Sequence, residues 1–254
     1  MARLTVKDLM DARGNHQFAM LRVETLDEAE AAAKAGVELF SVPPAMVMDR
    51  RFREVAPEAF IFPGDNFYEI GGTDDFLRWA FPLYKHGADA FYCSGSLATV
   101  RAMADHGLPV CGHVGLIPSK ATWTGGFKAV GKTLETAQLV WTQCKALEEA
   151  GAFAVEIEVV PHSITRLIAE KTNLFLISMG AGAAGHGAIG FAPFDTTLTL
   201  DVSQTLDISL QRREVTLAEL QLRVRQRIHY EYDFGDLWEH EIRVEAMHER
   251  EGGK

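Results

Sequence analysis

Two glutamates, Glu156 and Glu158, stand in the apolar run AFAVEIEVV at residues 152–160. If that run is a buried strand, its two-residue period sends both carboxylates to the same side. Burial there raises a carboxyl pKa towards the range in which it can take and return a proton. One member of the pair could equally be a structural acid. His113, in VCGHVG, is either a core histidine with satisfied hydrogen bonds or a ligand-binding group. Asp65, in PGDN, puts a carboxylate at the end of an apolar strand, where Gly-Asp-Asn is good turn chemistry. Asp74 and Asp75, in GGTDDF, offer two more carboxylates, or a simple acidic pair opening a helix.

A different chemistry is spelled by GGFKAVGKT, residues 125–133, where Gly126 to Thr133 reads G-x-x-x-x-G-K-T. That pattern cradles nucleotide phosphates only if a buried strand runs into it and a helix leaves it. The helix is there, LETAQLVWTQCKALEEA, with Thr133 as its N-cap. The strand is not, because the polar stretch IPSKATWTG precedes Gly126. No later strand supplies a magnesium-binding aspartate. The segment therefore reads as a glycine-rich loop covering a ligand, with Lys128 and Lys132 available to an anion.

The elements that must hold these residues repeat one phrase: a helical stretch, a glycine, then a short apolar strand. It occurs as KAG-VELFSV, KHG-ADAFYCS, DHG-LPVCGHVG and EAG-AFAVEIEVV. Gly36, Gly87, Gly107 and Gly151 are each placed to end a helix in the left-handed conformation. The runs after them are nearly continuous apolar stretches, as parallel strands covered on both faces require. Further strands are expected at FAMLRV, AFIFPGD, LFLISMGAG and AIGFAPF. Eight β/α units before residue 196 predict a (β/α)8 TIM barrel. A doubly wound sheet is the alternative, but no G-x-G-x-x-G turn follows the first strand. In a barrel the chemistry belongs at the C-terminal strand ends: SVPP, PGDN, YCSGS, GHVGL, EIEVV and GAGAAG.

The barrel domain is expected over 1–196 and an atypical β-rich extension over 197–254. There TTLTLDVSQTLDISL alternates like an exposed strand, VTLAELQLRVRQR suits a short helix, and IHYEYDFGDLWEHEIRVEAM suits two strands around an FGD turn. The chain has 254 residues, is 47% apolar and carries a formal charge of −10. That charge disfavours nucleic acid and anionic membrane as partners. No apolar run is long enough to span a bilayer, and MARLTVKDLMDARGNHQ is too polar for a signal peptide. Cys93, Cys111 and Cys144 are widely spaced, as in reduced cytosolic thiols. A cytoplasmic protein is expected.

PVCGHVGLIP, GGFKAVGK, ALEEAGAFAVEIEVVP and ISMGAG, in this order, resemble the ketopantoate hydroxymethyltransferase family. That family belongs to the phosphoenolpyruvate mutase/isocitrate lyase superfamily of TIM barrels. The similarity covers roughly residues 5–195. It implies a magnesium enolate of 3-methyl-2-oxobutanoate attacking the one-carbon unit of 5,10-methylenetetrahydrofolate, in a homo-oligomer. Carried over, Glu158 matches the family's proton-transfer glutamate, His113 its keto-acid-contacting histidine and Asp65 one metal aspartate. Pro43 falls where the first metal aspartate stands in a G-D-S turn. Tyr92 and Ser94 fall where a K-I-E-G-G run has its lysine and metal glutamate. Tyr92, Ser94 and Lys128 are therefore expected on the substrate, and two of three acidic metal ligands are replaced.

The end of the chain, REVTLAEL and YEYDFGDLWEHEIRVE, resembles a small plasmid-borne domain family with the hallmark Y-E-Y-D-F-G-D-x-W-E-H. His229, Asp233, Asp236, Glu239, His240 and Glu241 form its acidic and histidine cluster, a metal site or a solvated hairpin. Three functions follow: hydroxymethyl transfer, another 2-oxo-acid C–C bond chemistry such as a retro-aldol cleavage, or a non-catalytic barrel.

Overall fold

The computed structural model describes residues 3–64, 70–191, 227–232 and 238–243. In chain order its elements begin with α1 (Val6–Asp11), β1 (Phe18–Arg22), α2 (Leu26–Lys34), β2 (Leu39–Val42), α3 (Pro44–Met48) and α4 (Arg50–Val55). There follow β3 (Phe60–Pro63), α5 (Thr73–Lys85), β4 (Phe91–Tyr92), α6 (Leu97–Asp105) and β5 (Val110–Gly115). A 3-10 turn (Pro118–Lys120), α7 (Ala121–Thr124), α8 (Leu134–Glu149), β6 (Ala154–Glu158), α9 (His162–Lys171), β7 (Phe175–Met179) and β8 (Gly187–Phe191) complete this part. Two compact units divide the chain, Met1–Leu210 and Gln211–Lys254.

The expected barrel is present. Parallel ladders join the strands in the order β3-β2-β1-β8-β7-β6-β5-β4. The sheet closes where the N–H groups of Asp89 and Ala90 donate to the Ile61 carbonyl at 3.1 and 3.2 Å. The Asp89 carboxylate accepts from the Ile61 N–H at 2.9 Å and pairs with Arg53 at 3.3 Å across this seam.

Local chemistry explains the repeat. Thr25, Ser96 and Thr133 each cap a helix by accepting a backbone N–H. Gly36, Gly87, Gly107 and Gly151 take φ of 84°, 94°, 79° and 93° just past their helices, the left-handed exit expected of them. Each exit feeds a buried strand.

Strand alternation then makes two cores. One lies between strands and helices, with Phe40, Phe52, Ile61, Val110 and Val155 among its members. The other fills the barrel with Phe18, Met20, Leu39, Phe60, Phe62, Tyr92, Cys111, Phe175 and Ile177, and Leu9 of α1 packs into it. The inward positions form a filled interior, as this fold requires. Cys93, Cys111 and Cys144 are buried and form no disulfide.

The Gln211–Lys254 unit holds an antiparallel pair, β9 (Arg227–Tyr232) and β10 (Trp238–Arg243), the two strands expected around the FGD turn. His229 stands opposite Glu241 in that ladder, while Asp233 and Asp236 lie outside the described residues. So do the expected strand and helix within 192–226.

Candidate active site

The barrel-filling positions change character towards the C-terminal strand ends. On β6 the inward row runs Ala154, Glu156, Glu158; on β5 it runs Cys111, His113. Register sets His113 opposite Glu156 and Gly115 opposite Glu158. The strand period thus brings all three polar side chains together: His113 Nε2 lies 2.8 Å from Glu158 Oε2 and 3.6 Å from Glu156 Oε1. All three residues are buried.

The charge balance of this cluster is set by burial and pairing. Burial by itself would depress the His113 pKa, but the Glu158 hydrogen bond and the charges of both glutamates hold it above its ordinary value. Burial, and then the neighbouring Glu158 charge acting against His113, raises the Glu156 carboxyl. Proton sharing between a buried imidazole and two carboxylates is the arrangement that general acid–base work requires.

Tyr92 extends the cluster across the barrel. Its hydroxyl lies 3.8 Å from Met20 Sδ, and it is close enough to Glu156 and Ser41 to interact with them electrostatically. Burial, and then Glu156, pushes the phenol well above its usual range, so it stays neutral. Ser41 in turn accepts from Arg22 Nη1 at 3.3 Å. One polar row therefore crosses the mouth from β1 through β2, β4 and β6 to β5.

Backbone strain sits beside this row. Val159, directly after Glu158, has φ 47°, an outlier for a β-branched residue. Such a conformation costs about 1–3 kcal/mol and persists only when its surroundings hold it. Here the Val159 N–H donates to the Met179 carbonyl at 2.8 Å, and its own carbonyl accepts from Val130 at 3.1 Å. Gly115 is equally constrained, since a side chain there would run into the Glu158 carbonyl. Neither constraint was visible in the sequence, because each comes from another element: Met179 and Val130 for Val159, Glu158 for Gly115.

The remaining expected residues are placed as follows. Ser94 is half-buried just past β4, and Lys128 is exposed on the loop before α8. Pro43 opens α3 and offers no side-chain donor. Asp65 lies outside the described residues. Asp74 and Asp75 open α5, where both are exposed and pair with Arg78. The G-x-x-x-x-G-K-T segment is preceded by the 3-10 turn and α7, with no strand running into it. It leads into α8 through the Thr133 cap, and Val130 fastens it to the end of β6. It lies against the end of β6, and the strand that a nucleotide-binding loop needs before it is absent. Arg22 was not singled out from the sequence; its even spacing from Phe18 and Met20 in FAMLR was the available signal.

The magnesium implied by the family resemblance finds a poor donor set at the matching positions. Proline and serine stand where two carboxylates would be needed, and magnesium takes carboxylates, waters and substrate oxygens in an octahedron. Among the described residues, one cluster of His, Cys, Asp or Glu could hold an ion: His113, Glu156 and Glu158, whose donor atoms lie within 4.8 Å of one another. That set mixes imidazole with carboxylates, a combination suited to transition metals more than to magnesium.

Comparisons with known proteins agree with this architecture. A family model described as ketopantoate hydroxymethyltransferase matches residues 66–191. A second, described as plasmid pRiA4b ORF-3-like protein, matches residues 180–254, so the resemblance of the tail reaches back to β8. The 3-methyl-2-oxobutanoate hydroxymethyltransferase of Caldivirga maquilingensis is 31% identical over 211 residues, 74% of this chain and 79% of the relative. That of Deinococcus radiodurans is 37% identical over 143 residues, 54% of this chain and 50% of the relative. The crystal structure of 2,3-dimethylmalate lyase, a PEP mutase/isocitrate lyase superfamily member, superposes with a TM-score of 0.54 at 13% identity. It covers 73% of this chain and 80% of its own, a likeness of fold. No helix among the described residues is long and apolar enough to cross a membrane.

Proposed function

Because this chain belongs to the ketopantoate hydroxymethyltransferase family, we propose that it enolises a small 2-oxo acid, 3-methyl-2-oxobutanoate first of all, and joins the resulting carbon nucleophile to a one-carbon unit. The observation that carries the reading is the buried Glu158–His113 pair, 2.8 Å apart at the strand-end face of the barrel. The relatives' names supply the substrate, and the motif match at Glu158 and His113 supplies the roles.

Glu158 takes the C3 proton of the 2-oxo acid. The C3–H electron pair becomes the C2–C3 double bond, and the carbonyl pair moves onto oxygen as an enolate. His113 holds the Glu158 carboxylate in place, and its raised pKa favours the imidazolium that balances the carboxylate charge. Tyr92 fixes the second carboxyl, Glu156, on the far side. The nucleophilic carbon then bonds to the methylene carbon, for which 5,10-methylenetetrahydrofolate is the donor by family. The methylene carbon starts with two C–N bonds: one breaks as the C–C bond forms and the other as water supplies the product hydroxyl. Each nitrogen leaves with its bond's electron pair and takes up a proton, one from Glu158 and one from that water. The cover loop, fastened at Val130, keeps bulk water from the enolate. No step is routed through magnesium, because the donor set at Pro43 and Ser94 does not fit it.

A second reading is favoured by those same two residues: C–C bond cleavage or aldol addition of another 2-oxo acid through the same enolate. The test for the first reading is C3–H exchange of 3-methyl-2-oxobutanoate in D2O, followed by NMR. Exchange by the native chain and its loss in Glu158→Gln support enolisation; product formed only when the folate donor is added supports hydroxymethyl transfer. Absence of exchange with the native chain would sink the proposal. Exchange without product turns the choice to the second reading.

A further inference from the structure

The mouth of the barrel carries one cation that the proton-transfer cluster does not use. Arg22 is the last residue of β1 and shares its parity with Phe18 and Met20, both packed inside the barrel. Its side chain therefore enters the mouth, where it is 22% exposed. Nη1 donates to Ser41 Oγ at 3.3 Å, and Nε donates to Glu24 Oε1 at 2.7 Å. The guanidinium also lies directly over Gly64, so a side chain at that position would collide with Nη1. Gly64 has no left-handed φ. The glycine leaves room for the guanidinium in this position, which a side chain there would displace.

This places a fixed positive charge over the ends of β1, β2 and β3. Ser41 under it lies two residues before Pro43, and Gly64 is the neighbour of Asp65. These are the strand ends to which the family resemblance assigns the metal aspartates. One of those aspartates is a proline here, and the third acidic ligand, after β4, is Ser94. With two of the three expected carboxylates replaced and a guanidinium present, this side of the mouth is less acidic than the family pattern, although Asp65 remains in the sequence and Glu24 pairs with Arg22. Arg22, His113, Glu156 and Glu158 share the inward parity of their strands near the C-terminal ends, so the cation and the proton-transfer cluster belong to the same mouth, with Tyr92 feeling the Glu156 charge between them.

A guanidinium is suited to the work thus vacated. It stays charged at any working pH, and its planar fork matches a carboxylate with two parallel hydrogen bonds. With Nε engaged by Glu24, the Nη edge faces the mouth. It can hold the carboxylate of a 2-oxo acid and stabilise negative charge on the adjacent enolate oxygen.

We propose that Arg22 is the anion anchor of this site, binding the carboxylate of the 2-oxo acid in place of the divalent ion, so that ligand binding and enolisation need no added metal. The identity of the ligand rests on the function proposed above; the anchor itself rests on the placement of Arg22.

The experiment is titration calorimetry of the full chain with 3-methyl-2-oxobutanoate in EDTA, then with magnesium, for the native chain, Arg22→Gln and Arg22→Lys. Circular dichroism and melting curves check that each variant folds. The expected result is native binding of equal strength in EDTA and magnesium. Arg22→Gln should then bind roughly 10- to 100-fold more weakly, the size of a lost charged hydrogen-bond pair. Arg22→Lys should fall in between, because it keeps the charge and loses the fork. Native binding that needs magnesium, native binding absent in EDTA, or Arg22→Gln binding like the native chain would each overturn the proposal. C3–H exchange on the same samples separates the two claims. Arg22-dependent binding without exchange sinks the enolisation reading and leaves the anchor, whereas exchange untouched by Arg22→Gln does the reverse.

Discussion

Strands β5 and β6 furnish their half of the barrel mouth with His113 and Glu158, in the motifs that the family resemblance prescribes. Strands β1 to β4 furnish the other half with Arg22, Ser41, Pro43, Tyr92 and Ser94, and there two of the three prescribed carboxylates and the lysine are replaced. Under the proposed function, the contrast separates two tasks at one barrel mouth. Taking a proton needs a buried carboxylate poised by a partner, and that half keeps its pair at 2.8 Å. Polarising a 2-oxo acid needs a positive charge near its oxygens, and that charge can come from a bound ion or from the chain itself. Retention on one side and replacement on the other are what a change of electrophile would leave behind.

The largest effect should come from breaking the retained half. Glu158→Gln keeps shape and removes the base, so C3–H exchange should fall roughly 100- to 10,000-fold, while calorimetric binding of the 2-oxo acid stays within a few-fold. Next is the replaced half, touched without altering any charge. Gly64→Ala places a methyl group against Nη1 of Arg22 and should swing the guanidinium aside. Binding of the 2-oxo acid should weaken by roughly 10-fold, as for a displaced charged hydrogen bond, with the melting temperature little changed. A smaller effect is expected at the bridge between halves. Tyr92→Phe removes the hydroxyl that reaches Ser41 and Glu156. Exchange should fall by roughly 3- to 10-fold, the worth of one neutral hydrogen bond, and a pH–rate profile should shift because Glu156 has lost its partner.

The smallest effect is on stability, and its sign distinguishes the mouth from the outer wall. His113 is held above 6.5 and Glu156 above 4.5, so the folded chain binds more protons there than the unfolded one. The stability due to the pairing of His113 is complete below 6.5 and is lost as pH rises through the folded value. The raised Glu156 carboxyl likewise costs stability as pH climbs above 4.5. Glu148 on α8 behaves oppositely. Partial burial opposes its charge, but hydrogen bonds from Asn173, Lys145 and Thr172 prevail and bring its pKa from 4.5 to about 2. Its contribution is present above 4.5 and lost as pH falls towards 2. Denaturant melts across pH should find Glu156→Gln gaining on the native chain as pH rises, and Glu148→Gln losing least in acid.

Much of this architecture is legible in the sequence because it is local. The helix-ending glycines, the apolar strands and the Thr133 cap each follow from a few neighbouring residues. The hairpin of β9 and β10 follows from alternation around FGD. His113 and Glu158 are legible too, since strand parity and motif point to the same positions. The role of Gly64 is not. In PGDN it reads as turn chemistry, and only the meeting of β1 with β2 and β3 reveals the arginine above it. Arg22 itself lies in an otherwise ordinary strand, and Glu24, two residues on, suggests a solvated pair. Val159 gives no local sign of its positive φ, because Met179 and Val130 impose it from other elements. What the sequence withholds is the set of contacts made between strands, and the replaced half of the mouth consists of such contacts.

The central claim is that proton transfer is retained while the chain supplies its own cation. Its most direct test is the rate of C3–H exchange of 3-methyl-2-oxobutanoate in D2O by native protein stripped with EDTA, compared with the same protein after magnesium is restored. The account predicts exchange in EDTA at a rate that magnesium leaves unchanged. Exchange that appears only with magnesium would contradict it.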